Sequence, residues 1–290
     1  MKPAPFAYIA PASLAEALAV MAEHGTEAKL LAGGQSLVPV MNFRLAQPTL
    51  IVDINDLAEL GAVRRENGVL RLGAMVRQRT LEFDETVAAN LPLLQETMPY
   101  IAHPQIRNRG TLGGSLAHAD PAAELPVLAV LLHGRFHLQR QNHSRWVDAD
   151  DFFTGLFTTA LAPEEILTEV ELPLMPERTG AAFVELARRH GDFAQAGVAV
   201  AVTLDAAGLC QAARLVYLNL GEIPMVAEQT AASLQGQPLN EDTIRAAAEM
   251  AAQNEIEPTT DVHATAPYKR HLAKVLTIRA LKQATIKVTG

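Results

Sequence analysis

The sequence predicts an α+β fold in two units. Strand-like and helix-like runs are mixed through residues 6–172. The stretch Leu174–Gly180, LMPERTG, with Pro173 just ahead of it, concentrates proline, glycine and charge. Beyond it, three strand-like runs precede three helices, a segregated order that belongs to α+β folds. Proline interrupts helices and central strands, so the boundary is placed within Leu174–Gly180, with Gly180 permitting a reversal. The expected domains are residues 1–175 and 180–290.

Each element has a local reason. Residues 6–10 read as a short strand. Ser13 and Glu16 make a capping box for a helix that runs to about His24 and stops at Gly25. Lys29–Leu31 and Thr49–Ile54 read as strands, and SLVPVMNF between them opens a helix. Val69–Ala74 reads as a strand after the Asn67-Gly68 turn. Gln78–Phe83 and Thr86–Met98 read as helices, and Ala122–Leu132 as a strongly apolar one. Gly134–Leu138 begins a strand, Asp148–Phe153 a short helix, and Glu165–Leu172 alternates as a strand ending at Pro173. Past the linker come strands Ala181–Ala187, Gly197–Leu204 and Ala212–Leu220, with a turn at Gly208. Helices Met225–Leu234, Glu241–Gln253 and Ala266–Lys282 follow, the middle one capped by Asn240.

Composition narrows the function. The chain has 290 residues, 49% of them hydrophobic, and a net charge of −8. No apolar run is long enough to span a bilayer. MKPAPFAYIAPASL is broken by prolines and is not read as a signal peptide, so a cytoplasmic protein is expected. The acidic balance, with no basic cluster, argues against nucleic acid. Cys210 is the only cysteine, so an intrachain disulfide and a Cys-ligated cluster within this chain are excluded. It reads as a packed, inert thiol. Nine histidines include no HExxH, and no metal site is assigned. Redox chemistry here needs an organic cofactor.

Two glycine loops stand out. Leu31-Ala32-Gly33-Gly34-Gln35-Ser36 follows an apolar run, and Gly110-Thr111-Leu112-Gly113-Gly114-Ser115 lies inside the stretch 99–121. A glycine pair is ordinarily a turn. Here each pair is flanked by Ser or Thr and precedes a helix-like run, which suits backbone N–H groups converging on an anion. Neither loop has the GxGxxG or GxxxxGK[ST] spacing. Two such loops fit the two sides of one diphosphate.

KLLAGGQSLVPVMNFRLAQPTLIVDI and HPQIRNRGTLGGSLAHADPAAELP closely resemble the FAD-binding medium subunit of molybdenum hydroxylases, the carbon monoxide dehydrogenase and xanthine dehydrogenase superfamily. The resemblance runs from Phe6 to about Leu281. It implies an FAD-binding domain of the vanillyl-alcohol-oxidase-like (PCMH) type, then a smaller α+β domain with a three-stranded antiparallel sheet and three helices. It also implies the cofactor-binding residues. Ala32, Gly33, Gly34, Gln35 and Ser36 form the first diphosphate grip, and the preceding Lys29, Leu30 and Leu31 also lie against the cofactor. Thr111, Gly113, Gly114 and Ser115 form the second, with Ala102 and Gly110 as near neighbours. Asp120 matches the residue that bonds the cofactor's sugar-alcohol chain, while on its own it reads equally as a turn capping the next helix.

Ile166 and Leu167 fall where the family sets an apolar residue against the flavin ring, or are plain strand core. Phe193 falls where some members carry an aromatic ring near the flavin, in a stretch where Arg188, Arg189 and Asp192 match an RRxxD pattern. Arg107 and Arg109 are read either as a solvated turn or as orienting the loop or a partner. Glu185 replaces a lysine common in relatives, which puts a Lys contact to the flavin carbonyl in doubt. Tyr268 and Lys269 match the start of the family's last helix, Lys269 being a contact to structure, cofactor or partner.

The resemblance further implies partners: a large molybdenum–pterin subunit, a small subunit with a pair of 2Fe–2S clusters, and a dimer of heterotrimers. This chain would pass electrons from cluster to FAD to an external acceptor, with no catalytic acid or base of its own. Two rival readings are a stand-alone flavoprotein that oxidises NAD(P)H and a non-catalytic assembly protein of the same fold.

Overall fold

The structure is a computed structural model and describes residues 2–289. A small parallel sheet comes first. Its strands are β1 (Ala7–Ile9), β2 (Ala28–Leu31) and β3 (Leu50–Asp53), in the order β1-β3-β2. Helix α1 (Leu14–His24) links the first two strands, and α2 (Leu37–Asn42) precedes the third. Ser13 caps α1 by accepting the Glu16 N–H at 3.2 Å, and Glu16 reaches back to the Ala12 N–H at 2.7 Å. Gly25 closes the helix at φ 48°.

A five-stranded antiparallel sheet follows in the order β4-β5-β10-β6-β7. Strands β4 (Val63–Glu66) and β5 (Val69–Gly73) form a hairpin. Asn67 and Gly68 both have positive φ in its turn, the two-residue geometry that matches strand twist. Helices α3 (Gln78–Phe83), α4 (Glu85–Asn90), α5 (Pro92–Thr97), α6 (Pro104–Arg107), α7 (Leu112–His118) and α8 (Glu124–Leu131) come next. The single helix expected over Thr86–Met98 is two, because Pro92 brings no N–H and opens the second. Strands β6 (Arg135–Arg140) and β7 (His143–Asp148), helix α9 (Ala149–Phe152), the hairpin β8 (Phe153–Gly155) and β9 (Thr158–Thr159), and strand β10 (Ile166–Pro173) complete this part. Strands β4 and β7 had no reading in the sequence. Both are edges, and edges carry polar and charged residues that blur the alternation.

The remaining sheet is antiparallel, of strands β11 (Thr179–Ala187), β12 (Ala194–Leu204), β13 (Cys210–Leu218) and β14 (Met225–Val226) in sequence order. The expected three strands are four. Met225 and Val226, read as the start of a helix, pair with Val216 and Tyr217, and α10 (Glu228–Leu234) begins after them. Helix α11 (Glu241–Met250) is capped by the Asn240 side chain, which accepts the Thr243 N–H at 2.9 Å. Helix α12 (Ala266–Thr289) lies across β11 and β12. Cys210 opens β13, buried, with its thiol pKa pushed up by burial.

The main core crosses the expected boundary. Leu70, Leu72, Phe136 and Val170 of the five-stranded sheet join Ala199, Val216 and Leu218 of the last sheet in one apolar cluster. Helix α8 sits between them with all eight residues buried. That is why its sequence is apolar all round rather than striped.

Gly180 does not reverse the chain. It is a β11 residue opposite Val202, and its missing Cβ lets α12 pass directly overhead. A methyl there would collide with the Ala284 carbonyl and stand 3.0 Å from the Val288 amide nitrogen. Gly180→Ala is therefore expected to lift α12 and destabilise the protein by about 1–3 kcal/mol. Urea unfolding followed by circular dichroism measures it; an unchanged midpoint would contradict this packing.

Candidate cofactor site

Strand β2 ends at Leu31 and the chain turns through Ala32–Ser36 into α2. Gly34 has φ 72°, a conformation glycine adopts without strain. Among the described residues, no protein group accepts the backbone N–H of Gly33, Gly34, Gln35 or Ser36. Ser36 begins α2 without a side-chain cap bond. Gln35 folds back, its Nε2 donating to the Gly33 carbonyl at 2.8 Å. Four successive N–H groups and a hydroxyl without protein acceptors have the donor chemistry of a phosphate cradle.

The second loop lies against the first. A Cβ on Gly33 would collide with the Arg109 carbonyl and come within 2.8 Å of the Gly110 Cα. A Cβ on Gly114 would sit 3.5 Å from the Ala32 methyl and 2.6 Å from Thr111 Oγ1. Thr111 is buried, and its hydroxyl caps α7 by accepting the Gly114 N–H at 3.1 Å. Its oxygen is thus part of the frame. Gly113 is also framework: its N–H donates to Ala74 at 2.8 Å, and a Cβ would strike the Ala74 side chain. Ser115 is half-buried on the first turn of α7.

A clamp that sequence reading missed holds the loops together. Arg77 donates Nη1 to the Arg109 carbonyl at 2.5 Å and Nη2 to Asn55 Oδ1 at 2.7 Å. Asn55 Nδ2 donates in turn to the Ala32 carbonyl at 2.7 Å and to Asp53 Oδ1 at 2.6 Å. Tyr8 completes the chain with a 2.7 Å bond to Asp53. Burial lowers the Arg77 pKa, and Arg109 nearby lowers it further. Burial raises the Asp53 pKa, but hydrogen bonds from Asn55 and Tyr8 more than offset that, leaving it below the usual carboxylate value. Gln78 N–H adds a 2.9 Å bond to the Gly110 carbonyl. Asn55 and Arg77 belong to no spacing motif, so nothing local in the sequence marks them.

The other expected residues divide clearly. Lys29 is exposed on β2, with Leu30 and Leu31 half-buried beside it. Arg107 is neither solvated nor turned to a ligand. It is buried in a two-pronged pair with Glu82, at 2.9 and 3.0 Å, and donates to the Ile101 carbonyl at 2.9 Å. Arg109 is exposed. Ala102 holds φ 45°, and its carbonyl lies against Gly191, whose Cβ would come within 2.6 Å of it. That contact brings the Arg188–Phe193 loop to the second glycine segment. Phe193 is 65% exposed there.

Asp120 does not cap α8; Ala123 occupies that position. Asp120 Oδ1 accepts the Ala122 N–H at 2.9 Å, fixing the turn between α7 and α8. Ile166 and Leu167 are both buried, in different clusters: Ile166 with Leu50 and Val52 of the parallel sheet, Leu167 in the main core.

Glu185 is the anomaly. It lies on β11 opposite Gly197, and its Oε2 is buried with no hydrogen-bond partner. Burial, then the nearby Glu124 charge, raises its pKa well above the carboxylate range. Glu124, buried at the start of α8, is raised by burial and by Asp120. Two carboxyls in one dry region cannot both ionise cheaply, so the pair retains a proton at neutral pH.

The sequence family described as the FAD-binding domain in molybdopterin dehydrogenase matches residues 4–175, and the CO dehydrogenase flavoprotein C-terminal domain matches 181–284. The 6-hydroxypseudooxynicotine dehydrogenase complex subunit alpha of Paenarthrobacter nicotinovorans is 40% identical over 98% of this chain and 96% of its own. The carbon monoxide dehydrogenase medium chain of Hydrogenophaga pseudoflava is 38% identical over 98% of each chain. The crystal structure of quinoline 2-oxidoreductase from Pseudomonas putida 86 superposes with a TM-score of 0.96 at 37% identity, covering 100% of both chains. The chain belongs to the FAD-binding flavoprotein family of the molybdopterin dehydrogenases. It is thus an FAD-binding oxidoreductase subunit. Among the described residues no helix is long and apolar enough to cross a membrane.

The carboxyl pair makes stability depend on pH. The unfolded chain releases these protons near the ordinary Glu value of 4.5, whereas the folded protein keeps them to higher pH. The folded state therefore binds more protons across that window, and stability falls as pH rises. Glu185→Gln removes one of the acids. It is expected to match the wild type near pH 5 and to be more stable by over ~1 kcal/mol near pH 8.5. Thermal unfolding at both pH values measures it; parallel curves for the two proteins would contradict the shared proton.

Proposed function

We propose that this chain is the FAD-carrying medium subunit of a heterotrimeric molybdenum hydroxylase. In that reading it receives electrons from a 2Fe–2S cluster of a small partner subunit and delivers them to an external acceptor. A large partner subunit holds the molybdenum–pterin centre, and the assembly is a dimer of heterotrimers in the cytoplasm. The packing of the second glycine loop against the first, whose Gly33–Ser36 N–H groups have no protein acceptor, supports this reading. When bound, FAD supplies the redox chemistry between one-electron donors and the acceptor.

The chain's own residues bind and orient. The free N–H groups of Gly33–Ser36 and the Ser36 hydroxyl hold one side of the diphosphate, with Lys29–Ala32 lining the approach. The Gly110–Ser115 segment would back the other side, the N–H groups of Gly110 and Leu112–Ser115 being committed within the protein and the Ser115 hydroxyl being left for the diphosphate, and Asp120 would accept hydroxyls of the sugar-alcohol chain through the oxygen not committed to Ala122. Ala102 would be a near neighbour of the cofactor, Ile166 or Leu167 would offer the ring an apolar contact, and Phe193 would lie near it from the later domain. No residue acts as a catalytic acid or base. Residues 1–175 and 180–290 are taken as the two domains, the first containing the whole diphosphate grip. The substrate pocket belongs to another chain.

Two experiments test the reading. Flavin released by denaturation should be FAD, and affinity purification from the host should return two further subunits with molybdenum and iron. FMN as the main flavin, or a lone chain that oxidises NAD(P)H, would overturn it. At the loop, Gly33→Ala should push the two segments apart and weaken FAD binding by about tenfold or more, the equivalent of about 1.4 kcal/mol. Fluorescence titration reads this, and wild-type affinity in the variant would remove the cradle from the argument.

A further inference from the structure

Three segments border one hydrogen-bonded cluster: the Asp120-Pro121 turn, the Arg188–Gln195 stretch and the Asp261–Ala264 turn ahead of α12. They share no sheet, yet all converge on one buried ammonium. Lys269, 2% exposed, pairs with Asp261 at 2.7 Å. Its Nζ also donates to the Asn219 carbonyl at 3.2 Å and to Asn219 Oδ1 at 3.4 Å.

Asn219 distributes that anchor. It follows β13 with φ 56°, a left-handed conformation that Asn tolerates better than most residues. Its backbone N–H donates to the Pro121 carbonyl at 2.8 Å, next to Asp120. Its Nδ2 donates to the Ala194 carbonyl at 2.6 Å, next to Phe193. The third arm runs through Asp261. Its carboxylate accepts the N–H groups of His263 and Ala264 at 2.7 and 2.9 Å. Burial raises the Asp261 pKa, but the bonds from Lys269, Ala264 and His263 hold it down at about 2. The His263 carbonyl in turn accepts Gln195 Nε2 at 3.1 Å, and its ring meets Arg188 at 2.9 Å.

We propose that Lys269 and Asn219 form a positioning centre that sets Asp120 and the Phe193 loop relative to bound FAD, so that the grip on the sugar-alcohol chain and the cover over the ring are fixed together. This rests on the FAD-site reading above. Asn219 is one residue with bonds to both borders, so loosening it loosens both.

The test uses the full-length chain in its purified complex. Asn219→Asp keeps the left-handed backbone and a charge partner for Lys269 but removes the donor to Ala194. It is expected to raise the FAD dissociation rate about fivefold, a single hydrogen bond's worth, and to raise iodide quenching of the bound flavin's fluorescence. Lys269→Met alone leaves Asp261 unpaired and risks misfolding, so the double variant Lys269→Met/Asp261→Asn is measured beside it, with the same direction expected. A purely structural role would lower the unfolding midpoint of both variants while leaving dissociation and iodide access at wild-type values, and that result would overturn the proposal. Wild-type protein that binds no FAD in the same assay would overturn the underlying site reading instead.

Discussion

The candidate site depends on the approach of two backbone segments that no side chain could allow. Gly33 rests directly on the Arg109 carbonyl and the Gly110 Cα. This contact brings the turn after β2 and the segment before α7 together, although about eighty residues separate them in sequence. The Arg109 and Ala32 carbonyls on either side of the contact need donors. Arg77 supplies them from the side, bonded to the Arg109 carbonyl and, through Asn55, to the Ala32 carbonyl. A cationic clamp on carbonyls leaves the N–H groups of the first loop as the unpaired set. That polarity is what makes the cradle suited to an anion.

The charged residues near the site mostly serve the frame. Arg107 is consumed by Glu82 and a backbone carbonyl, and Lys269 by Asp261 and Asn219. Buried cations of this kind persist only when fully paired. Exposed cations, Lys29, Arg109 and Arg189, stand at the rim, where screening weakens any fixed interaction. Electrostatics in the interior are set instead by an excess of acid. The Glu124–Glu185 pair keeps a retained proton in this dry region.

The largest apolar cluster runs across the boundary between the two family segments, although each also holds a smaller cluster of its own. Helix α8 packs on β12 and β13, and its buried apolar residues share one cluster with Leu70, Phe136 and Val170 of the five-stranded sheet. The Pro121 carbonyl bonded to Asn219 and the Ala102 carbonyl against Gly191 add polar and steric contacts across the same junction. Stability and site geometry are therefore coupled: a change that shifts α12 or β12 reaches the Asp120 turn through few intermediates.

The sequence by itself determined the local elements and the loops. Ser13, Gly25, Asn67-Gly68 and Asn240 act through neighbours a few residues away, so their caps and turns were legible. The glycine pairs were legible as well, and their long flanking motifs carried the family. What the sequence could not decide were the roles that depend on distant partners. Gly180 read as a reversal and is a packing gap under α12. Met225 and Val226 read as helix until β13 offered them a ladder. Asn55, Arg77 and Asn219 had no signal at all, since a single polar side chain acquires its role only from the backbone groups that tertiary packing brings to it.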